Sequence, residues 1–450
     1  MTNQVGYPGS QPQGTPDLAP MLAEIYRGPI STTTMRFLRG IEHSQRKQLL
    51  IGLVGEIRRH RPVKESLPDV EEAWRLLLRA EDSFPDVVDE IVMFPAVGLW
   101  IRRGLDKASA DFEDTPSNRA DVGVVHAIAA AAAIRAGIAF SLPVPVVQGV
   151  VSLPTVGQFD VVDDSADYVV VDHDGSTTTP NCEAAEADSF RAVRTHRTEA
   201  AGMRLDVVFD DIDPHRAFTE DSTAPAPLKD SEFRSWSAQL DNAWSILVHW
   251  NSGYAEELAA GLISIVPLTR EGRLVGASSA GAFGAISLSE KPSADDLADA
   301  LVHELQHSKL NAVFEITILH EAHHCDYFYA PWRDDPRPLD GVLHGIYAFT
   351  SVVEFWHDRR DQVPENRVAD AGSTFVLRAL QVRMAIEDVA ASNHLNEQGT
   401  RFLNALSDRL AKCEVALTAA DRTGAVARAI ADHRALWQAE HGEIPSAATS

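Results

Sequence analysis

Between Leu262 and His307, two short apolar runs, a helix cap and a pair of histidines follow one another, and that order constrains the fold more than any other part of the chain. The runs Leu262 to Leu268 and Ala282 to Leu288, with Gly276 and Gly281 between them, read as a hairpin or paired strands. Pro292-Ser293-Ala294-Asp295-Asp296 then reads as a helix start. Ser293 caps, and Asp296, three residues later, suits both a capping box and the positive end of the helix dipole. The helix is expected to run at least through His303-Glu304-Leu305-Gln306-His307. Side chains four apart on a helix share a face with Cβ atoms about 5 to 6 Å apart, so His303 and His307 can aim both imidazoles at one ion. Glu304 stands about 100° round the helix from His303, where it can reach a metal-bound water or orient a ligand.

The pattern H-E-x-x-H also arises by chance, and the chain carries a second match, His320-Glu321-Ala322-His323-His324, 17 positions further on. On one straight helix the two would lie roughly 25 Å and about 100° apart, too far to share an ion. The second is followed by Cys325-Asp326-Tyr327-Phe328-Tyr329 and reads as a polar helix end. A third ligand is needed, and the extended form H-E-x-x-H-x-x-G-x-x-H fails because Leu310 and Val313 occupy its Gly and third His positions. Glu315, His320, Glu321, His344, Glu354 and His357 are the candidates. His344 is preferred, since an apolar setting, Leu343-His344-Gly345-Ile346-Tyr347, leaves a histidine in need of a partner. The competing reading is a hydrogen-bonded core histidine. The proline-stiffened stretch Ala330 to Pro338 holds Arg333 and Arg337, whose planar forks suit a carboxylate ligand, or else pair with Asp334, Asp335 or Asp340.

Around this region the texture of the chain changes several times, and a length of 450 residues suggests two or three compact units of roughly 150 residues. Residues 1–20 read as a disordered tail, 21–140 as a helical region and 141–228 as a β-rich region closed by a connector at Pro225 to Pro227. Residues 229–361 read as the metal-binding catalytic region, and 362–450 as a C-terminal helical region. Within residues 229–361, Trp236, Leu240, Trp244 and Leu247 form one apolar helix stripe. The expected fold class is α+β, mostly helical, with a small β-rich middle section and a zincin-like strand-then-helix metal site.

A formal charge of -25, from 40 basic and 65 acidic side chains, repels phosphate backbones and anionic lipid, so nucleic acid is not expected as a partner. Cys182, Cys325 and Cys413 form no C-x-x-C pair, which points away from a disulfide framework or thiolate zinc site and fits a reducing compartment. The start of the chain lacks the basic and apolar runs of a signal peptide. Val122 to Phe140 contains His126 and Arg135 among eight alanines and reads as a packed helix, not a membrane span. A cytoplasmic protein with no membrane role is expected.

Several segments together resemble the H-E-x-x-H motif-containing peptide-modification proteins of pathways that mature ribosomally synthesised peptides. They are the Gly284-Ala285-Ile286 approach, Leu301 to Leu310 around the motif, Tyr329 to Leu339, and Leu343 to Phe349, with a weaker likeness over Asp121 to Phe140. The resemblance implies an oxidoreductase: an iron(II)- and 2-oxoglutarate-dependent β-hydroxylase acting on a precursor peptide, with other peptide-maturation enzymes as partners. It implies iron on His303, His307 and His344, Glu304 beside the metal, and Arg333 or Arg337 as the 2-oxoglutarate anchor. Histidines with oxygen or nitrogen co-ligands suit iron as well as zinc. The chain departs from the H-x-D…H triad common among oxygenases.

Two other functions stay open. In a zinc metallopeptidase, Glu304 would take a proton from metal-bound water while Zn(II) polarises the scissile carbonyl of a precursor peptide. In a non-catalytic peptide-binding partner protein the scaffold would be kept without turnover, although intact His303, Glu304 and His307 weigh against this.

Overall fold

The computed structural model describes residues 18–60, 68–108, 112–161, 166–181, 189–216, 226–268, 276–321 and 327–442. Most of the expected tail, Cys182, Pro225, Cys325 and the His323-His324 end of the second motif lie outside the described residues.

Helices open the chain: α1 (Ala19–Arg27), α2 (Thr32–His60), α3 (Val70–Ser83), α4 (Pro85–Val92), α5 (Pro95–Lys107), α6 (Pro116–Val122) and α7 (Val124–Arg135). Proline begins α4, α5 and α6, where its missing N–H would have had no helical partner anyway. The alanine-rich α7 is buried along Val124 to Ala133. It packs between α3 and strands β1 (Phe140–Val147) and β2 (Val150–Leu153), as expected of a helix whose small side chains let neighbours approach closely. No described helix is long and apolar enough to cross a membrane.

With β3 (Gly157–Asp160), β4 (Tyr168–His173), β5 (Thr178–Asn181) and β6 (Arg191–Ala192), these strands make an antiparallel sheet of order β5-β4-β1-β2-β3-β6. The hairpin β7 (Arg194–Ala200) and β8 (Met203–Phe209) leaves it for a second sheet. There β8 pairs in parallel with β9 (Ser264–Leu268), β9 in parallel with β11 (Ala285–Ser289), and β11 antiparallel with the short edge strand β10 (Gly276–Ala277). The two apolar runs before the motif are therefore parallel neighbours, not a hairpin. The second sheet also joins stretches that the sequence assigned to separate β-rich and metal-binding regions.

The segment that carries the tryptophan stripe and leads to β9 forms two helices, α8 (Asp230–Trp250) and α9 (Ser252–Gly261). The break falls at Asn251, whose side chain accepts from the N–H groups of Gly253 and Tyr254 and so caps a new helix in place of continuing the old one. The Trp236, Leu240, Trp244 and Leu247 stripe is buried core. After β11 come α10 (Ala294–Phe314), the small pair β12 (Tyr327–Phe328) and β13 (Arg337–Pro338), then α11 (Leu339–Arg359), α12 (Val368–Ser392), α13 (Glu397–Glu414), α14 (Ala419–Thr423) and α15 (Ala425–His441).

Two apolar cores result. One is built by α3 to α7 and the six-stranded sheet, the other by α1, α8 to α13 and the second sheet. Helix α2 belongs to both, giving Met35 and Leu38 to the second core and Leu50, Leu53, Val54 and Ile57 to the first. The architecture is α+β and mostly helical, as expected.

Candidate functional site

Helix α10 begins as its sequence requires: Ser293 Oγ accepts from the Asp296 N–H at 3.2 Å and donates to the Asp296 carboxylate at 2.7 Å. One face of α10 packs on the second sheet and another on α11. The cleft left between α10, α11, α12, β10 and the loop before β13 has a volume of about 840 Å³, within the range of about 300–1,000 Å³ usual for ligand pockets.

His303 and His307 face this cleft together from α10, and α11 adds His344. The Nε2 atoms of His303 and His307 are 3.1 Å apart, while Nδ1 of His307 is 3.3 Å from Nδ1 of His344. Two nitrogens each about 2.0–2.1 Å from a shared ion come about 3 Å apart, so the first pair has the right separation. His344 meets the opposite nitrogen of His307, and an imidazole offers each ion one nitrogen. Among the described residues no group of three or more His, Cys, Asp and Glu side chains is placed to hold an ion. The zincin-like centre expected from the sequence is thus present as three neighbouring imidazoles and not as a formed ligand set.

Burial keeps all three rings neutral, the form in which imidazole binds metal: His307 is pulled down to about 4, His344 to about 3, and His303 well below its ordinary value. Phe349 packs against His303 with centroids 4.5 Å apart, and Phe314 meets His344 edge-on at 5.1 Å. His303 Nδ1 is buried and has no hydrogen-bond partner among the described residues.

Glu304 turns from the histidine face toward the edge strand, where its carboxylate abuts Gly276. Burial pushes it up to about 7, opposed by the Ser278 hydroxyl and the Lys291 charge and reinforced by Asp299. Asp299, one turn before His303, accepts from the Trp356 indole N–H at 2.8 Å and is pushed up to about 6 by burial.

Arg333 and Arg337 reach the cleft rim, and both pair with Asp335, at 2.7 and 3.1 Å. Trp332, from the same loop, lies against Gly345 and meets the Phe349 ring tilted by 47° with centroids 5.0 Å apart, which holds the loop over the cleft. The other third-ligand candidates are elsewhere. Glu315 accepts from Gln45, His320 pairs with Asp340, Glu354 pairs with Arg409, and His357 with Asp358. Glu321 is exposed. Because α10 stops at Phe314, the second motif is not carried on that helix.

Lys291, Asp299 and Arg378 also line the cleft and were not singled out from the sequence. Asp299 had a usable signal, since it precedes His303 by one helical turn. Arg378 had none, because α12 reaches the cleft only through tertiary packing.

No protein-family model matches the chain, and no curated protein is significantly similar to it.

Proposed function

We propose that this protein is a metal-dependent enzyme that modifies a ribosomally made precursor peptide, by iron(II)- and 2-oxoglutarate-dependent β-hydroxylation of a side chain. The observation that carries the metal reading is the pair of neutral imidazoles, His303 and His307, with Nε2 atoms 3.1 Å apart at the wall of the cleft. His344 is the third ligand, and it joins them only if its ring turns away from His307 Nδ1. The choice of oxidation over hydrolysis rests on the resemblance of the motif region and on the cations that line the cleft of an otherwise acidic chain. Iron with 2-oxoglutarate would supply the oxidation of an unactivated C–H bond by dioxygen, one oxygen atom entering the peptide and the other ending in succinate as carbon dioxide is lost. The protein's own residues shape the reaction: Phe349 and Trp332 exclude water beside His303, and Glu304 acts behind the ligands, from the edge-strand side.

A zinc peptidase is the second reading, favoured by Glu304, which at about 7 is poised to take a proton near neutral pH. Purified protein incubated with the precursor peptide separates these readings. Iron, ascorbate and 2-oxoglutarate should add one oxygen mass, whereas two fragments formed with zinc would identify a peptidase. Unchanged peptide with tight binding would leave only a binding partner. Metal content after anaerobic purification should fall to background in the variant with His303→Ala and His307→Ala. Glu304→Gln should keep the metal, and it abolishes cleavage if the chain is a peptidase.

A further inference from the structure

Four basic side chains line the cleft, and three of them face carboxylates. Arg333 and Arg337 share Asp335, and Lys291 faces Glu304, Asp299 and Asp296. Arg378 differs. Its Nη1 donates to Gln381 Oε1 at 2.8 Å, and its guanidinium lies 4.4 Å over the Phe349 ring. No described carboxylate is within ion-pair distance of it. Asp299 is near enough for its charge to be felt, but it is engaged by Trp356.

Holding a guanidinium half-buried with no anionic partner is unfavourable unless a ligand supplies the counter-charge. Burial accordingly pulls Arg378 below its ordinary value. Stacking on an aromatic face fixes the plane of the group and leaves N–H donors at its edge, an arrangement suited to a bidentate carboxylate. Phe349, the ring beneath Arg378, is also the ring that packs on His303. A carboxylate at Arg378 is therefore held one aromatic ring away from the histidines.

We infer that Arg378 is the carboxylate-binding residue of the cleft, in place of Arg333 and Arg337. This rests on the reading of the cleft as the active site. The carboxylate has two possible sources, a small dicarboxylate cosubstrate or an acidic side chain of the peptide.

Binding to the full chain tests it by calorimetry, with two probes that need no metal: glutarate, which lacks the chelating oxo group, and a short peptide with one aspartate and both ends blocked. Arg378→Met should weaken whichever probe binds by about 10- to 100-fold, as expected for loss of charge-assisted hydrogen bonds. Arg378→Lys should recover part of the loss, and Arg333→Met and Arg337→Met should change little. Glutarate binding identifies the cosubstrate as the source, and binding of the peptide alone identifies the substrate. If neither probe binds, or Arg378→Met binds as tightly as wild type, the inference is overturned. Should the Arg378 variants not fold, arginine modification of the wild-type chain by phenylglyoxal, mapped by mass, should show Arg378 protected by the bound probe; an unprotected Arg378 overturns the inference. With His303→Ala and His307→Ala in place the probes should still bind. Failure of the metal reading would thus appear as absent metal with binding kept, and failure of this inference as binding indifferent to Arg378.

Discussion

Glu304 is pressed against Gly276: a Cβ built on that glycine would stand 2.6 Å from Glu304 Oε1. Edge strand and motif helix meet there through a carboxylate that any side chain at position 276 would displace. The atom in the way is the free end of a flexible side chain, so Gly276→Ala should cost little stability and move the carboxylate instead. A misplacement on the order of 1 Å, even one caused by a change away from the reacting atoms, can cost about 10²-fold in rate. Gly276→Ala is therefore expected to keep its metal content and thermal midpoint while turnover of the precursor peptide falls by about that factor. Wild-type turnover would show that the position of Glu304 does not matter.

Gly345 makes the opposite case. An added Cβ would come within 2.1 Å of Trp332 Cζ2, and an indole ring cannot bend aside. Gly345→Ala should push Trp332 and its loop off the cleft. Overpacking of this kind costs about 1–3 kcal/mol, readable as a lower denaturant midpoint, with Trp fluorescence shifted by new exposure. An unchanged midpoint and spectrum would mean that the loop does not depend on this contact.

The parts of the fold and site that were legible in the sequence are those written in local signals. Ser293 and Asp296 announce the start of α10, spacing by four puts His303 and His307 on one face, and the tryptophan stripe of α8 marks its buried side. Asn251 also carried a local signal, a cap inside an otherwise helical run, but continuous apolar spacing on both sides masked it. What could not be read depends on chain segments far apart. The hairpin β7-β8 crosses into the second sheet because β9 offers it a parallel edge, and no spacing within 194–209 records that partner. The two guanidinium groups of Arg333 and Arg337 were visible, but which of Asp334, Asp335 and Asp340 answers them depends on the turn of the loop.

Beneath the site, Lys309 and Glu257 form an ion pair at 2.7 Å with neither side chain exposed. Glu257 Oε2 also accepts from the Ile30 N–H, Glu257 Oε1 from Gln306, and Gln306 Oε1 from Lys309, so the network ties α9 and α10 to the start of α2. Lys309→Met removes the cation and strands a buried carboxylate, which is expected to cost about 3–5 kcal/mol. Adding Glu257→Gln to that variant should recover a substantial part, because the remaining buried group is no longer charged. Urea midpoints of the two variants and the wild type check this. Equal loss in the single and double variants would place the energy in packing instead of charge.

His126 on α7 gives the first core a pH dependence whose sign follows from its burial. Burial lowers it from the ordinary 6.5 to about 4, so the folded protein resists a proton that the unfolded chain accepts freely. Between those two values the unfolded state binds more protons, and stability rises with pH wherever that is so. The stabilisation is therefore present above 6.5, declines as the pH falls, and is gone near 4. Shifting from pH 7 to pH 5 should cost about 2 kcal/mol through this one group. The three cleft histidines, lowered in the same way, add to the slope in the metal-free protein. Replacing His126 with leucine, close in volume and without a titrating group, should flatten the dependence of the urea midpoint on pH by about one proton's worth while leaving cleft titration intact. An identical slope in wild type and His126→Leu would show that the ring is already charged, or already hydrated, inside the first core.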